Sequence, residues 1–181
     1  MFIFKKTKLK DFQNRNNTRT YDIMDVATFI VNYCAETKRS INNLYLQKLL
    51  YFVHAFFLVE TKEQRPLFNS IMEAWAFGPA FPEVYYSYNM YETGKIPYQE
   101  TYSHFKSTEK ISYNKNIIDS RDRAIIMYIV DKYRDKSLSE IVFITQSQEP
   151  WSVAYGLAGN RRCKTIDNKA IADYFCIHRQ A

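Results

Sequence analysis

Glycine, proline and cysteine are all scarce in this sequence: four, five and three among 181 residues. So little glycine and proline argues against a repeat array, a linker-rich chain or a glycine-cradled phosphate loop. The cysteines, Cys34, Cys163 and Cys176, are odd in number and have no paired spacing. That excludes a paired-cysteine zinc site and points to reduced thiols rather than disulfides. There is no His-Glu-x-x-His pattern and no local nucleophile signature. Cys176 and His178 stand alone near a terminus. No metal, no cofactor and no enzymatic constellation is therefore expected. The longest apolar run, Leu49 to Val59, is too short to span a bilayer and is broken by His54. The opening residues lack the apolar core of a secretory leader. A cytoplasmic, membrane-free protein is the expectation.

Aromatic residues are plentiful, with 15 Tyr and 13 Phe. The net charge of +6 is concentrated in residues 1–20, where Lys5, Lys6, Lys8, Lys10, Arg15 and Arg19 face only Asp11. The rest of the chain is close to neutral, so the charge describes an arm and not a basic face. That arm reads as a solvated tail, as a contact for phosphates or a partner, or as a segment whose Phe2, Ile3 and Phe4 pack back on the body.

Leu44 to Glu60 organises the remainder. Leu46, Leu49, Leu50, Val53 and Phe57 form one helical stripe, and Phe56 and Leu58 widen it, which predicts a helix buried on most sides. Gln47, Lys48, Tyr51 and His54 interrupt it. They are either satisfied core polar groups or a cluster facing a cleft or partner. Upstream, Ile23 to Cys34 keeps an unbroken helical period after Asp22, a good cap. Residues 67–82 lose that period. Ile71, Glu73 and Trp75 alternate with Met72, Ala74 and Ala76, which suggests an extended or irregular segment punctuated by Gly78-Pro79 and Pro82.

Pro82 to Tyr91 reads as a helix of unusual aromatic content: Tyr85, Tyr86, Tyr88 and Tyr91. Such a helix is either half-buried structure or a partner-binding face, because tyrosine offers large area at low entropic cost. With Trp75 and Phe77 in the preceding loop, these four tyrosines are the candidate partner-binding set. Residues 96–116 alternate weakly, and His104 there has no ligand companion at helical spacing. A long helix over 116–134, a capping-box helix from Ser137, a short helix from Glu149 and a last one capped by Asp167 follow. The fold class is mainly α: a single compact helical domain of about seven helices over residues 21–181, with room for one small β-hairpin.

Three segments occur together: Leu46-Gln-Lys-Leu-Leu-Tyr-Phe52, Glu73-Ala-Trp-Ala-Phe-Gly-Pro79 with Pro82-Glu-Val-Tyr85, and Glu149-Pro-Trp151 with Ala154. With Tyr21 to Val26 and Ile171 to Phe175 at the ends, the set resembles the SocA-like antitoxin family, also called the Panacea domain, over about residues 21–176. The resemblance implies a helical bacterial or prophage antitoxin of a toxin-antitoxin system that neutralises a toxin encoded nearby by direct protein contact. It also allows a proteolytic adaptor or a phage inhibitor of a host protein. A nucleic-acid regulator acting through residues 1–20 and a homodimer through the tyrosine helix are the other open readings. Gln47, Lys48, Tyr51, Gly78, Pro79, Pro150 and Trp151 fall on the family motif, where the implied role is mostly architectural. Trp151 is expected against the central helix, with Gln47 and Lys48 meeting the loop of residues 75–79 in a shared polar groove.

Overall fold

The computed structural model describes residues 19–60, 65–157 and 164–178. Among them are seven α-helices and two small antiparallel strand pairs, so the mainly helical expectation holds. Most of the basic arm, the turn at 61–64 and the basic loop of Arg161 and Arg162 lie outside the described residues. No helix among the described residues is long and apolar enough to cross a membrane.

Helix α1 spans Ile23–Glu36. Its first-turn amide at Met24 donates to the Asp22 carboxylate at 2.7 Å, the cap expected for that residue. It ends in a Schellman arrangement: Lys38 N–H donates to Ala35 O and Arg39 N–H to Cys34 O. The left-handed position there holds Lys38, at φ 58°, where glycine is usual. Cys34 is buried in the apolar stripe, and burial pushes its thiol up to about 12. It is a small core residue and not a nucleophile.

Helix α2, Asn43–Glu60, is the axis of the domain. Asn42 Oδ1 accepts from the Tyr45 amide at 2.9 Å and starts it. Leu46, Leu50, Val53 and Phe57 are wholly buried. Removing each such side chain from water stabilises the fold by roughly 1.5–3 kcal/mol. Five of the other six helices (α1, and α3, α4, α5 and α7 below) and the second strand of the first pair pack on α2, which explains why its apolar stripe is so wide.

Strands β1 (Glu73–Trp75) and β2 (Gly78–Ala80) form a tight hairpin, pairing Glu73 with Ala80 and Trp75 with Gly78. The period-two pattern of the sequence is realised: Met72 and Ala74 point inward, while Ile71 is exposed. Helix α3 (Pro82–Ser87) follows, with Pro82 in its first turn. It is shorter than expected. The chain leaves α-geometry at Tyr88 and closes with a 3-10 turn over Asn89–Tyr91. The undecided stretch holds a second strand pair, β3 (Thr101–Tyr102) with β4 (Ile111–Ser112), one more than the single hairpin allowed for.

Helix α4 (Ser120–Lys132) starts later than 116, because Lys115–Ile117 is a 3-10 turn and Asp119 is the cap that accepts from Arg121 N–H. Helices α5 (Leu138–Gln146), α6 (Glu149–Leu157) and α7 (Asn168–His178) complete the fold. The capping box at Ser137 and Glu140 is present in both directions. A buried ion pair ties the N-terminal side to α4. Arg65 Nη2 lies 2.6 Å from Asp122 Oδ2, and Tyr21 OH donates to the same oxygen at 2.7 Å.

Candidate functional site

Two adjacent motif residues on α2 hold the hairpin down. Lys48 Nζ donates to Pro79 O at 2.9 Å, and Gln47 Oε1 accepts the Phe81 amide at 2.8 Å. Gln47 Nε2 in turn donates to Asn43 Oδ1. All these polar atoms are buried, so in place of an open groove there is an internal strut: Lys48 reaches the 75–79 loop at Pro79, and Gln47 meets Phe81 beyond it. Burial lowers the Lys48 ammonium to about 7. One turn further on, Tyr51 OH donates to the buried Gln148 at 2.6 Å, and burial raises its phenol well above the ordinary range. His54 Nε2 meets Asn168 Oδ1 at 2.9 Å, its ring stacks on Phe68, and burial lowers its pKa to about 4. Its Nδ1 has no hydrogen-bond partner among the described residues. The four polar interruptions of α2 are therefore core groups.

The hairpin is fastened from outside as well. Trp151 is buried and donates its indole N–H to Trp75 O at 2.9 Å. Trp151 shares the core with the residues of α2, its polar anchor is strand β1, and its ring stacks on Tyr155. Gln146 of α5 donates to Ala76 O, and the Ala74 amide donates to Lys164 O. Gly78 sits at φ +100°, and a Cβ there would lie 2.7 Å from Thr145 Oγ1 and 2.9 Å from Lys48 Nζ. Both the backbone angle and the close approach demand glycine. Pro79 is buried in the strand and Pro150 in the first turn of α6.

What this scaffold displays is aromatic. Phe77, at the hairpin tip, is 64% exposed. Trp75 packs edge-on against Tyr85 at 4.8 Å, Tyr85 against Tyr86 at 5.5 Å, and Tyr86 stacks on Phe105 at 4.8 Å. Trp75 and Tyr85 are half-buried, while Tyr86 and Phe105 are exposed. Trp75 Nε1 donates to the Glu73 carboxylate at 2.6 Å. Trp75, Tyr85, Tyr86 and Phe105 thus form a contiguous aromatic ridge, with Phe77 exposed at the neighbouring hairpin tip.

Tyr88 does not share that face. It is buried, with its hydroxyl 2.9 Å from Thr28 on α1, because the helix ends one residue earlier and turns it inward. Tyr91 is half-buried beside Gln99, away from the ridge. Phe105 was not foreseen. Its only sequence signal is an aromatic residue in a polar loop, and its stacking partner is 19 residues away. His104, next to Phe105, has no companion at helical spacing but has two in space. It stands 3.2 Å from Asp22 and 3.3 Å from Glu83, using both ring nitrogens. These three offer the one carboxylate–imidazole group with metal-like spacing among the described residues. The contacts tie the Phe105 loop to α3 and to the cap of α1. A second surface feature, a cavity of about 400 Å³ between α6 and α7, is floored by Pro150, Val153, Ile166, Ala170, Tyr174 and Ile177.

Such a site offers area, rings and few charges. Protein interfaces favour such aromatic area. Comparison with known proteins places the chain in a family. The model of the family described as Antitoxin SocA-like, Panacea domain, matches residues 46–152, more than half of the chain, and the chain belongs to this family. The matched stretch runs from Leu46 on α2 to Ser152 on α6 and includes the whole hairpin and α3. A curated relative, Antitoxin SocA of Caulobacter vibrioides (strain NA1000 / CB15N), is 46% identical over 67 residues. That match covers 37% of this chain and 35% of the relative, so the chain spans about a third of that protein's length. No solved structure matches the chain.

Proposed function

We propose that this protein is an antitoxin that neutralises a toxin protein by direct contact, and that the aromatic ridge of Trp75, Phe77, Tyr85, Tyr86 and Phe105 is the contact surface. The family membership and the relative named an antitoxin support the role. The observation that carries the surface is the exposure of Phe77 at the tip of a hairpin pinned from below by Lys48, Gln47 and Trp151. Exposed aromatic side chains normally cost solubility, and a large rigid patch of them marks an interaction site. Fixing the hairpin in advance also reduces the entropy lost on binding.

The test is co-expression with the product of the adjacent reading frame. Growth arrest by the neighbour alone, relief by the pair and a stable co-purified complex are the expected results. A harmless neighbour and no complex would remove the antitoxin reading.

A further inference from the structure

The Lys48 amine is wholly buried. It sits on the rigid axis of α2, and its partner is the carbonyl of Pro79 at 2.9 Å. The strand above it, β2, is wholly buried and only three residues long. Gly78 and Thr145 border the same spot: a Cβ on Gly78 would lie 2.9 Å from Lys48 Nζ and 2.7 Å from Thr145 Oγ1. Thr145 gives its own proton to Val142 O. No charged side chain from the elements packed on α2 enters the titration of Lys48; burial is the one cause. The titratable groups that border the hairpin are engaged elsewhere: Glu73 on Trp75, and Glu83 and Asp22 on His104.

A neutral amine is adequately served by one carbonyl. A buried ammonium is not, because it needs three acceptors and a counter-charge. The least costly relief is to admit water, and of the elements over Lys48 the three-residue strand β2 is easier to lift than the nine-residue helix α5.

We propose that Lys48 is a proton-linked latch: local opening of the hairpin around Gly78–Phe81 is coupled to uptake of one proton at Nζ. The closed hairpin presents Phe77 and Trp75 over a neutral amine. The open hairpin exposes an ordinary, charged lysine to solvent. The latch is therefore a regulator of the aromatic ridge, and its role in toxin binding rests on the function proposed above. Its physical test needs no toxin, so either idea can fail without the other.

The test is amide hydrogen exchange on the full chain between pH 7 and 9, corrected for the intrinsic pH dependence of exchange. The probe is the Phe81 amide, whose acceptor is Gln47. The reference is the Leu50 amide in mid-α2, which exchanges on global opening. Protection of Phe81 should be lower than that of Leu50, and it should rise about tenfold per pH unit across this window. In Lys48→Met the Phe81 protection should be independent of pH. A flat Phe81 profile beside a sloping Leu50 profile in the wild type would overturn the latch, since Lys48 would then titrate only on global unfolding. A slope that survives in Lys48→Met would overturn it too. If Lys48→Met does not fold, the wild-type comparison of the two amides decides alone.

Discussion

His54 should make this fold acid-sensitive, and the size of the effect can be worked out. Its ring is 1% exposed, stacked on Phe68 and hydrogen-bonded to Asn168 through Nε2. Burial lowers its pKa from 6.5 to about 4. The unfolded chain thus takes up a proton before the folded chain does. Stability from this residue is complete above the unfolded value of 6.5 and is lost as pH falls toward 4. A gap of roughly two and a half pKa units corresponds to about 3 kcal/mol. Asp25 works in the opposite direction: burial raises its carboxyl, opposed by the Tyr102 hydrogen bond, so it loses nothing on acidification. The perturbation is His54→Leu, followed by urea unfolding at pH 7.5, 6, 5 and 4. Unfolding is read by the fluorescence of the two tryptophans, Trp75 and Trp151. At pH 7.5 the variant should be less stable by about 1 kcal/mol, because the bond to Asn168 is gone. That deficit should shrink and reverse as pH approaches 4. A difference between the two proteins that stays constant with pH would refute the reasoning.

Three further outcomes follow from the packing. Gly78→Ala places a methyl group 2.7 Å from Thr145 Oγ1 at a φ of +100°, so it should lower stability by several kcal/mol, on the order of the largest single-residue effects, in thermal unfolding. Asp122→Ala removes the buried carboxylate that Arg65 and Tyr21 share and should cost about 3–5 kcal/mol, whereas a paired change of Asp122 and Arg65 to apolar residues should cost much less, as a double-mutant cycle will show. Lys38→Gly relieves the left-handed position at the end of α1 and should raise the unfolding midpoint, with a gain of up to about 1 kcal/mol.

Helical periodicity exposed α1 and α2 clearly, since both bury long stripes and carry side-chain caps at Asp22 and Asn42. The Ser137–Glu140 box and Pro82 also marked helix starts without tertiary help. Ends and short strands were less legible. Tyr88 and Tyr91 continue the aromatic pattern in sequence, yet the bond from Tyr88 to Thr28 turns the chain inward before either can join an exposed face. The helix expected from 116 yields to a 3-10 turn because Asp119 is the better cap. Of the ridge, Trp75, Phe77, Tyr85 and Tyr86 could be picked out by type and proximity. Phe105 could not, because its place depends on His104 reaching Asp22 and Glu83 across the fold. Likewise Lys48 could be seen as an intruder in an apolar helix, but its acceptor lies 31 residues away, on a carbonyl that any residue would supply.

The most direct test of the ridge is neutralisation by Phe77→Asp with Tyr86→Asp. Both side chains are exposed, at 64% and 44%, so the unfolding midpoint should hardly move. The account predicts a folded protein that no longer relieves toxicity of the adjacent gene product and no longer co-purifies with it. Full rescue and an intact complex from that folded double variant would contradict the account and move the contact elsewhere on the molecule.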